Sequence, residues 1–161
     1  MTKKINLIIA FIFLFIAAQA QETQEKQPKV KYSGIVETGG IFSPRHGSIQ
    51  QTFVNGVKIN NMHSIGFGIG FGGMFWHGAS VYITMPMYAN YRVNFLPEKR
   101  SPFINVAVGT AITEEALNLY SGLTAGIQFY KFSLSSGVNI QTYGEEAKPI
   151  VGFIIQVGIH F

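Results

Sequence analysis

The sequence predicts an all-β fold, an eight-stranded antiparallel up-and-down β-barrel that spans a membrane. Three observations favour this fold. From Val30 onward apolar residues alternate with small or polar ones at a period of two, and no stretch sustains the 3.6-residue period of an amphipathic helix. Turn-forming residues interrupt the alternation at short intervals, which is typical of hairpins. Charged residues make up only 12% of the chain, against about 25% in a typical soluble domain.

The first 20 residues have the parts of a secretory signal peptide. Lys3 and Lys4 form a positive segment, residues 7–18 form an apolar run, and Ala18-Gln19-Ala20 is a small-x-small cleavage site. The apolar run is shorter than the roughly 20 residues that a membrane-spanning helix needs. Residues 21–29 are polar and are predicted to form a flexible leader. The barrel domain is therefore expected to span residues 30–161.

The composition excludes several classes of protein. The chain has no cysteine, which excludes a lipid-anchored lipoprotein, disulfides and thiolate metal sites. Removing Lys3 and Lys4 from the 12 basic residues leaves 10 against 8 acidic residues, a net charge of +2 after cleavage. This charge is too small to indicate binding to nucleic acid or to anionic membrane surfaces.

We predict eight strands, each able to pair with its neighbours in sequence as an antiparallel hairpin. Turn chemistry separates the strands, for example at Asn60-Asn61 and at Tyr130-Lys131. With eight strands both chain ends lie at one end of the barrel, which we place in the periplasm. The predicted strands are 30–42, 48–59, 63–75, 81–95, 103–113, 119–130, 132–143 and 150–161.

The residue types on the two strand faces indicate a membrane barrel and oppose the alternative, a soluble lipocalin-like barrel. A soluble barrel is apolar inside and charged outside, whereas a membrane barrel is apolar outside and polar or small inside. Strand three shows the pattern most clearly. One face carries Ile65, Phe67, Ile69 and Phe71, and the other carries the lumen glycine face, Gly66, Gly68, Gly70 and Gly72.

Aromatic residues are predicted at two levels, as in the interfacial girdles of membrane barrels. The periplasmic girdle is expected to contain Phe95, Phe103, Phe129, Phe132 and Phe161. The outer girdle is expected to contain Phe42, Phe75, Trp76 and Tyr143.

The chain resembles the small eight-stranded outer-membrane barrels of the OmpA/OmpX type over residues 30–161. The resemblance rests on Y-S-G-I-V-E-T-G-G, M-P-M-Y-A-N-Y-R-V-N-F, S-P-F-I-N-V-A-V-G and the terminal Phe161. It implies location in the cell outer membrane, contact with outer-membrane lipids, and recognition of the last strand by the outer-membrane assembly machinery. The recognition face would be Phe153, Val157, Ile159 and Phe161. The predicted outer loops are short, which weakens any role as a large adhesive surface.

Three charged residues are predicted to face the lumen, namely Glu37, Lys58 and Arg92. A charge enclosed in a narrow barrel must be paired, so we expect a Glu37–Arg92 ion pair with Lys58 nearby. Small barrels are packed inside, so the expected role of this lumen charge network is to fill and lock the barrel. The alternative is a gated pore.

The glycines of strand three are expected to leave room for large neighbours such as Tyr82, Tyr88 or Arg92. The alternative is a small internal cavity that binds a ligand or solute. Pro86 lies within strand four and cannot donate a ladder hydrogen bond, so a β-bulge is expected there.

The segment His46-Gly47-Ser48 faintly resembles the His and Ser of lipid A deacylases built on similar barrels. Such chemistry would need His46 to accept the proton of Ser48 and a carboxylate to orient the imidazole. Glu37 is the nearest acid in sequence but is predicted to point inward, and the other candidates are glutamates of the loops. The other histidines are not expected to cluster, with His63 and His160 near the periplasmic end and His77 near the outer end, so no metal site is expected.

These patterns predict a monomeric, non-catalytic integral outer-membrane protein with a structural or surface role and no cofactor. Three alternatives remain open. They are a solute or small-ligand barrel with an internal cavity or narrow pore, a lipid A-modifying enzyme, and a soluble periplasmic binding barrel, which the residue types on the two strand faces oppose.

Overall fold

The computed structural model describes residues 28–44, 46–76, 81–113, 116–143 and 148–161. The signal peptide and nearly all of the leader lie outside these ranges, as do His77 and the side chains of Trp76 and Tyr143. The described part of the chain forms eight strands. Their bounds are β1 Val30–Phe42, β2 His46–Ile59, β3 His63–Trp76, β4 Val81–Asn94, β5 Arg100–Thr113, β6 Leu117–Phe129, β7 Phe132–Tyr143 and β8 Lys148–His160.

The strands form one closed antiparallel barrel in which each pairs with its neighbours in sequence and β8 pairs with β1. The fold class predicted from the sequence is therefore confirmed. Closure extends to the last residue, because the Phe161 amide donates to the Gly34 carbonyl at 2.9 Å. Within the described residues, no helix is long and apolar enough to cross a membrane.

The start of β1 and the end of β8 lie at one end of the barrel, here called the terminal end. Its turns are residues 60–62, 95–99 and 130–131. Asn60 and Asn61 have φ angles of 53° and 59°, the left-handed conformation that asparagine tolerates better than other side-chain-bearing residues. The predicted turn at Asn60-Asn61 thus has the backbone geometry that its residue types favour.

The two faces of the wall are those that the alternation predicts. Large apolar side chains of every strand point outward and are exposed, including Ile65, Phe67, Ile69 and Phe71 of β3. Most buried side chains in the described part are polar and point inward, such as Asn105, Thr124 and Asn139. This inverted arrangement matches a bilayer, which solvates an apolar outer wall and leaves the polar groups to pair inside.

At the terminal end, the described aromatic side chains form the predicted girdle with one exception. Phe95, Phe129, Phe132 and Phe161 are exposed at the terminal end. Phe103 is only 1% exposed, so its predicted place in the girdle is wrong. It has the inward parity of Asn105 and Ala107 on β5 and packs inside the barrel.

The prediction of a β-bulge at Pro86 is also wrong. The β3–β4 ladder lacks the pairs of Gly70 and Phe71 with Pro86 and Met85, yet its register is the same on both sides of this gap. A bulge adds a residue and turns every following side chain to the other face. The barrel instead tolerates a local loss of pairing on one side of Pro86, while Pro86 stays paired with Ala111 of β5.

The glycines of β3 give space to neighbouring elements. A Cβ atom at Gly70 would lie 2.6 Å from Thr52 Cγ2, and one at Gly68 would collide with the Tyr88 ring. Tyr88 is itself buried and stacks on Tyr120, with 5.2 Å between ring centroids. The wall at Gly68 is thus thin because a tyrosine ring occupies the space inside it.

We expect Gly68→Ala to destabilise the barrel by about 1–3 kcal/mol, the usual cost of overpacking. The matched control is Gly122→Ala on β6, where the nearest atom to an added Cβ is 3.7 Å away and little change is expected. Urea unfolding in lipid vesicles, followed by tryptophan fluorescence, measures the difference. Equal midpoints for both variants would contradict the packing of Tyr88 against Gly68.

Candidate functional site

A buried ion pair crosses the barrel interior from β1 to β4. Arg92 Nη2 donates to Glu37 Oε1 at 2.6 Å, and the two residues are 2% and 4% exposed. The barrel positions both groups because residues 37 and 92 have inward parity on their strands. A charge-assisted hydrogen bond of this length satisfies two charges that could not be buried alone.

The guanidinium of Arg92 makes two further contacts. Its Cζ atom lies 4.0 Å from the centroid of the Phe103 ring, a cation–π geometry. Its Nη1 atom lies 3.1 Å from His160 Nε2, which is also 2.9 Å from Ser133 Oγ. Because a guanidinium can only donate, His160 Nε2 accepts this hydrogen bond. The Glu37–Arg92 pair therefore belongs to a network that joins β1, β4, β5, β7 and β8.

Three members of this network were not predicted from the sequence, namely Phe103, His160 and Ser133. Phe103 was expected in the girdle, and His160 was placed only near the periplasmic end. A signal for His160 existed, because it follows Gln156 and Gly158 on the inward parity of β8. Gly158 provides the space, since a Cβ there would lie 2.6 Å from Ser133 Oγ and 3.1 Å from Glu37 Cγ.

The structure places the third predicted lumen charge, Lys58, at the terminal end of β2, where it is partly exposed. Its cross-strand neighbours are Lys31 of β1 and Ser64 of β3. Among the described residues Lys58 takes part in no ion pair or hydrogen bond. It therefore lies outside the buried network.

A second group of side chains fills the middle of the barrel. Tyr88 and Tyr120 stack there, and Gln50 Nε2 donates to the Tyr120 hydroxyl at 3.1 Å. A cavity beside them has a volume of about 10 Å³, about the space that one water molecule requires. Its lining includes Glu37 and Gln156. This cavity is too small for an organic ligand.

At the far end of the barrel, the ring of His46 contacts Ser43. Ser43 Oγ lies 3.0 Å from His46 Nδ1 and 2.9 Å from Nε2, and it also donates to the His46 carbonyl at 3.2 Å. His46 has the inward parity of Gln50 on β2, and Ser43 lies in the turn that follows β1. The serine beside His46 is thus Ser43, whereas the sequence suggested Ser48. Glu37, the predicted nearest acid, is bonded to Arg92 inside the barrel.

The remaining predicted residues are dispersed over the surface. Phe153, Val157, Ile159 and Phe161 form an exposed outward row on the last strand. His63 lies on the outer wall, where its Nδ1 atom is 3.0 Å from the Tyr91 hydroxyl. In the part of the chain that the structure describes, no three acidic, histidine or cysteine residues come together as metal ligands.

Comparison with known proteins identifies the architecture. No protein-family model matches the chain, and no curated protein matches its sequence. Several solved structures share its fold. The outer membrane enzyme PagL is 14% identical, with a TM-score of 0.57 over 78% of this chain and 98% of PagL.

Two further structures resemble the chain to a similar degree. The N-terminal β-barrel domain of Pseudomonas aeruginosa OprF is 13% identical, with a TM-score of 0.51 over 83% of this chain and all of that domain. Neisserial surface protein A is 11% identical, with a TM-score of 0.50 over 84% of this chain and 98% of its own. These likenesses show that the chain has the eight-stranded barrel fold found in small outer-membrane proteins.

Proposed function

We propose that this chain is a non-catalytic, monomeric protein of the outer membrane, and that its barrel is a solid structural scaffold. The proposal rests on the observation that side chains fill the interior of the barrel. The Glu37–Arg92 network and the stacked pair Tyr88–Tyr120 occupy the lumen, and the cavity beside them has room for about one water molecule.

The outer wall supports placement in a bilayer. Its exposed residues are large and apolar, and exposed aromatic residues lie at both ends, with Phe42 and Phe75 at the far end. The fold is shared with outer-membrane proteins. In this placement the terminal end faces the periplasm and the wall contacts outer-membrane lipids. The exposed row from Phe153 to Phe161 would be available to the assembly machinery.

A pore or solute carrier is the less favoured alternative. Conduction would require the network around Arg92 to open, and five strands hold that network together through the contacts described above. A ligand would need a cavity well above the 10 Å³ found beside Tyr88. The described part of the structure meets neither requirement, which argues against a transport function.

Among the described residues, the contact between Ser43 and His46 is the observation that favours catalysis at the outer rim. A serine nucleophile needs a histidine base and a group that orients it. The contact is here part of a hairpin turn, because the Ser43 amide also donates to the His46 carbonyl at 3.0 Å. His46 has the inward parity of Gln50 on β2, which directs it toward the mouth of the barrel and away from lipid. We therefore interpret Ser43 as a turn-stabilising residue.

The purified protein is expected to be electrically silent in planar lipid bilayers, because its lumen is packed. Glu37→Ala should be silent as well, since Tyr88, Tyr120 and Phe103 still fill the interior. Single-channel recording measures this directly. Discrete conductance steps from the wild-type protein would contradict the solid scaffold and favour the pore.

Removing one partner of the buried pair should be costly. Glu37→Ala leaves the Arg92 guanidinium buried and is expected to lower the free energy of unfolding by about 3–5 kcal/mol. The double variant Glu37→Leu/Arg92→Met should recover most of this loss, because no charge remains buried. Urea unfolding in lipid vesicles measures both.

Lys58→Ala is the control for that experiment, because Lys58 is partly exposed and forms no described ion pair; its effect should stay within about 0.5 kcal/mol. A double variant as unstable as Glu37→Ala would show that charge burial is not the cause of the loss.

A further inference from the structure

Two turns meet at the terminal end of the barrel and form a cationic cluster around one tyrosine. The Tyr130 amide donates to the Lys99 carbonyl at 2.6 Å, which ties the β6–β7 turn to the β4–β5 turn. Lys99 Nζ lies 5.7 Å from the centroid of the Tyr130 ring, and Arg100 Cζ lies 5.6 Å from it. We call Lys99, Arg100 and Tyr130 the rim cluster.

The positive charge of the rim cluster is not compensated within the described chain. Glu98 precedes Lys99, yet the described residues contain a single ion pair, which is Glu37–Arg92. Lys131 follows Tyr130 and adds a further positive charge beside it. All of these side chains are exposed. Two cations placed on one ring, with no described carboxylate in an ion pair with either, point to an external anion as a further partner of the cluster.

The backbone of Tyr130 supports a role for its side chain. Its φ angle is 55°, in the left-handed region where a bulky residue is rare. A two-residue hairpin turn that needs a positive φ at its first position usually has glycine there. The chain keeps a tyrosine where glycine would be unstrained, and such strain is often found at functional sites.

The rim cluster lies just beyond the apolar band of the outer wall. Phe129 and Phe132 flank Tyr130 and are 46% and 60% exposed on the outward face. Arg100 is paired with Phe129 across the β5–β6 ladder and shares the outward parity of Ile104. Aromatic girdles lie at the level of lipid headgroups, so the two cations stand at the height of the phosphate groups.

We propose that the rim cluster is a binding site for the phosphate headgroup of an anionic glycerophospholipid in the periplasmic leaflet. The phosphate contacts Lys99 and Arg100, and the acyl chains lie against Phe129 and Phe132. We assign the site to a lipid because the cluster adjoins an exposed apolar wall on its membrane side. The inference rests on the proposed placement in a membrane but not on the absence of a pore.

Native mass spectrometry of the detergent-solubilised mature protein tests the site. The protein is titrated with phosphatidylglycerol and, separately, with phosphatidylcholine at low ionic strength. We expect a preference for phosphatidylglycerol of about tenfold, the order of magnitude for cations near an anionic headgroup. Lys99→Gln/Arg100→Gln should remove the preference.

The matched control, Lys29→Gln/Lys31→Gln, removes the same charge from the start of β1 at the same end of the barrel and should retain the preference. Tyr130→Gly should fold at least as well as the wild type, because glycine accepts a positive φ, and should still lose the preference through loss of the ring.

Three results would overturn the proposal. The first is a preference that survives Lys99→Gln/Arg100→Gln, and the second is an equal loss in the Lys29→Gln/Lys31→Gln control, which would indicate diffuse charge. The third is displacement of the lipid by millimolar glycerol 3-phosphate, which would indicate a site for a soluble phosphate. Failure of the membrane placement itself would be distinguishable, because neither lipid would then bind the wild-type protein.

Discussion

The structure depends on one constraint, that every backbone amide and carbonyl within a bilayer must find a partner inside the protein. The chain meets it by closing the sheet. β1 pairs with both β2 and β8, and Phe161 exchanges two backbone hydrogen bonds with Gly34. Closure also explains why Pro86 is accommodated without a bulge, because a shift of register in one strand would misalign the whole barrel.

Closure creates an interior that must be filled without help from the solvent. Glu37 and Arg92 can be buried only as a pair. Phe103 and His160 also contact the guanidinium, and Ser133 contacts His160. Glycines then set how closely side chains pack against the wall, as at Gly68 beneath Tyr88. The same network that stabilises the barrel also blocks it, which links the packing of the interior to the proposed structural role.

The strands and their faces could be predicted because a period of two is encoded locally in residues such as Ile65 and Gly66. The contact between Glu37 and Arg92 was foreseeable because an enclosed charge needs a partner. The inward position of Phe103 was missed because the residue is apolar, although the alternation of β5 places it on the same face as Asn105. The partners of His160 and Ser43 depend on the register between distant strands and on turn geometry, which no local pattern specifies.

Cell fractionation, followed by gel mobility of boiled and unboiled samples, tests whether the protein is a closed barrel in the outer membrane. We expect to find the protein in the outer-membrane fraction and to see it migrate faster unboiled, because a closed sheet resists detergent. A soluble protein whose mobility is unchanged by boiling would contradict this placement. It would mean that the apolar wall, with Phe67 and Phe129, does not face lipid.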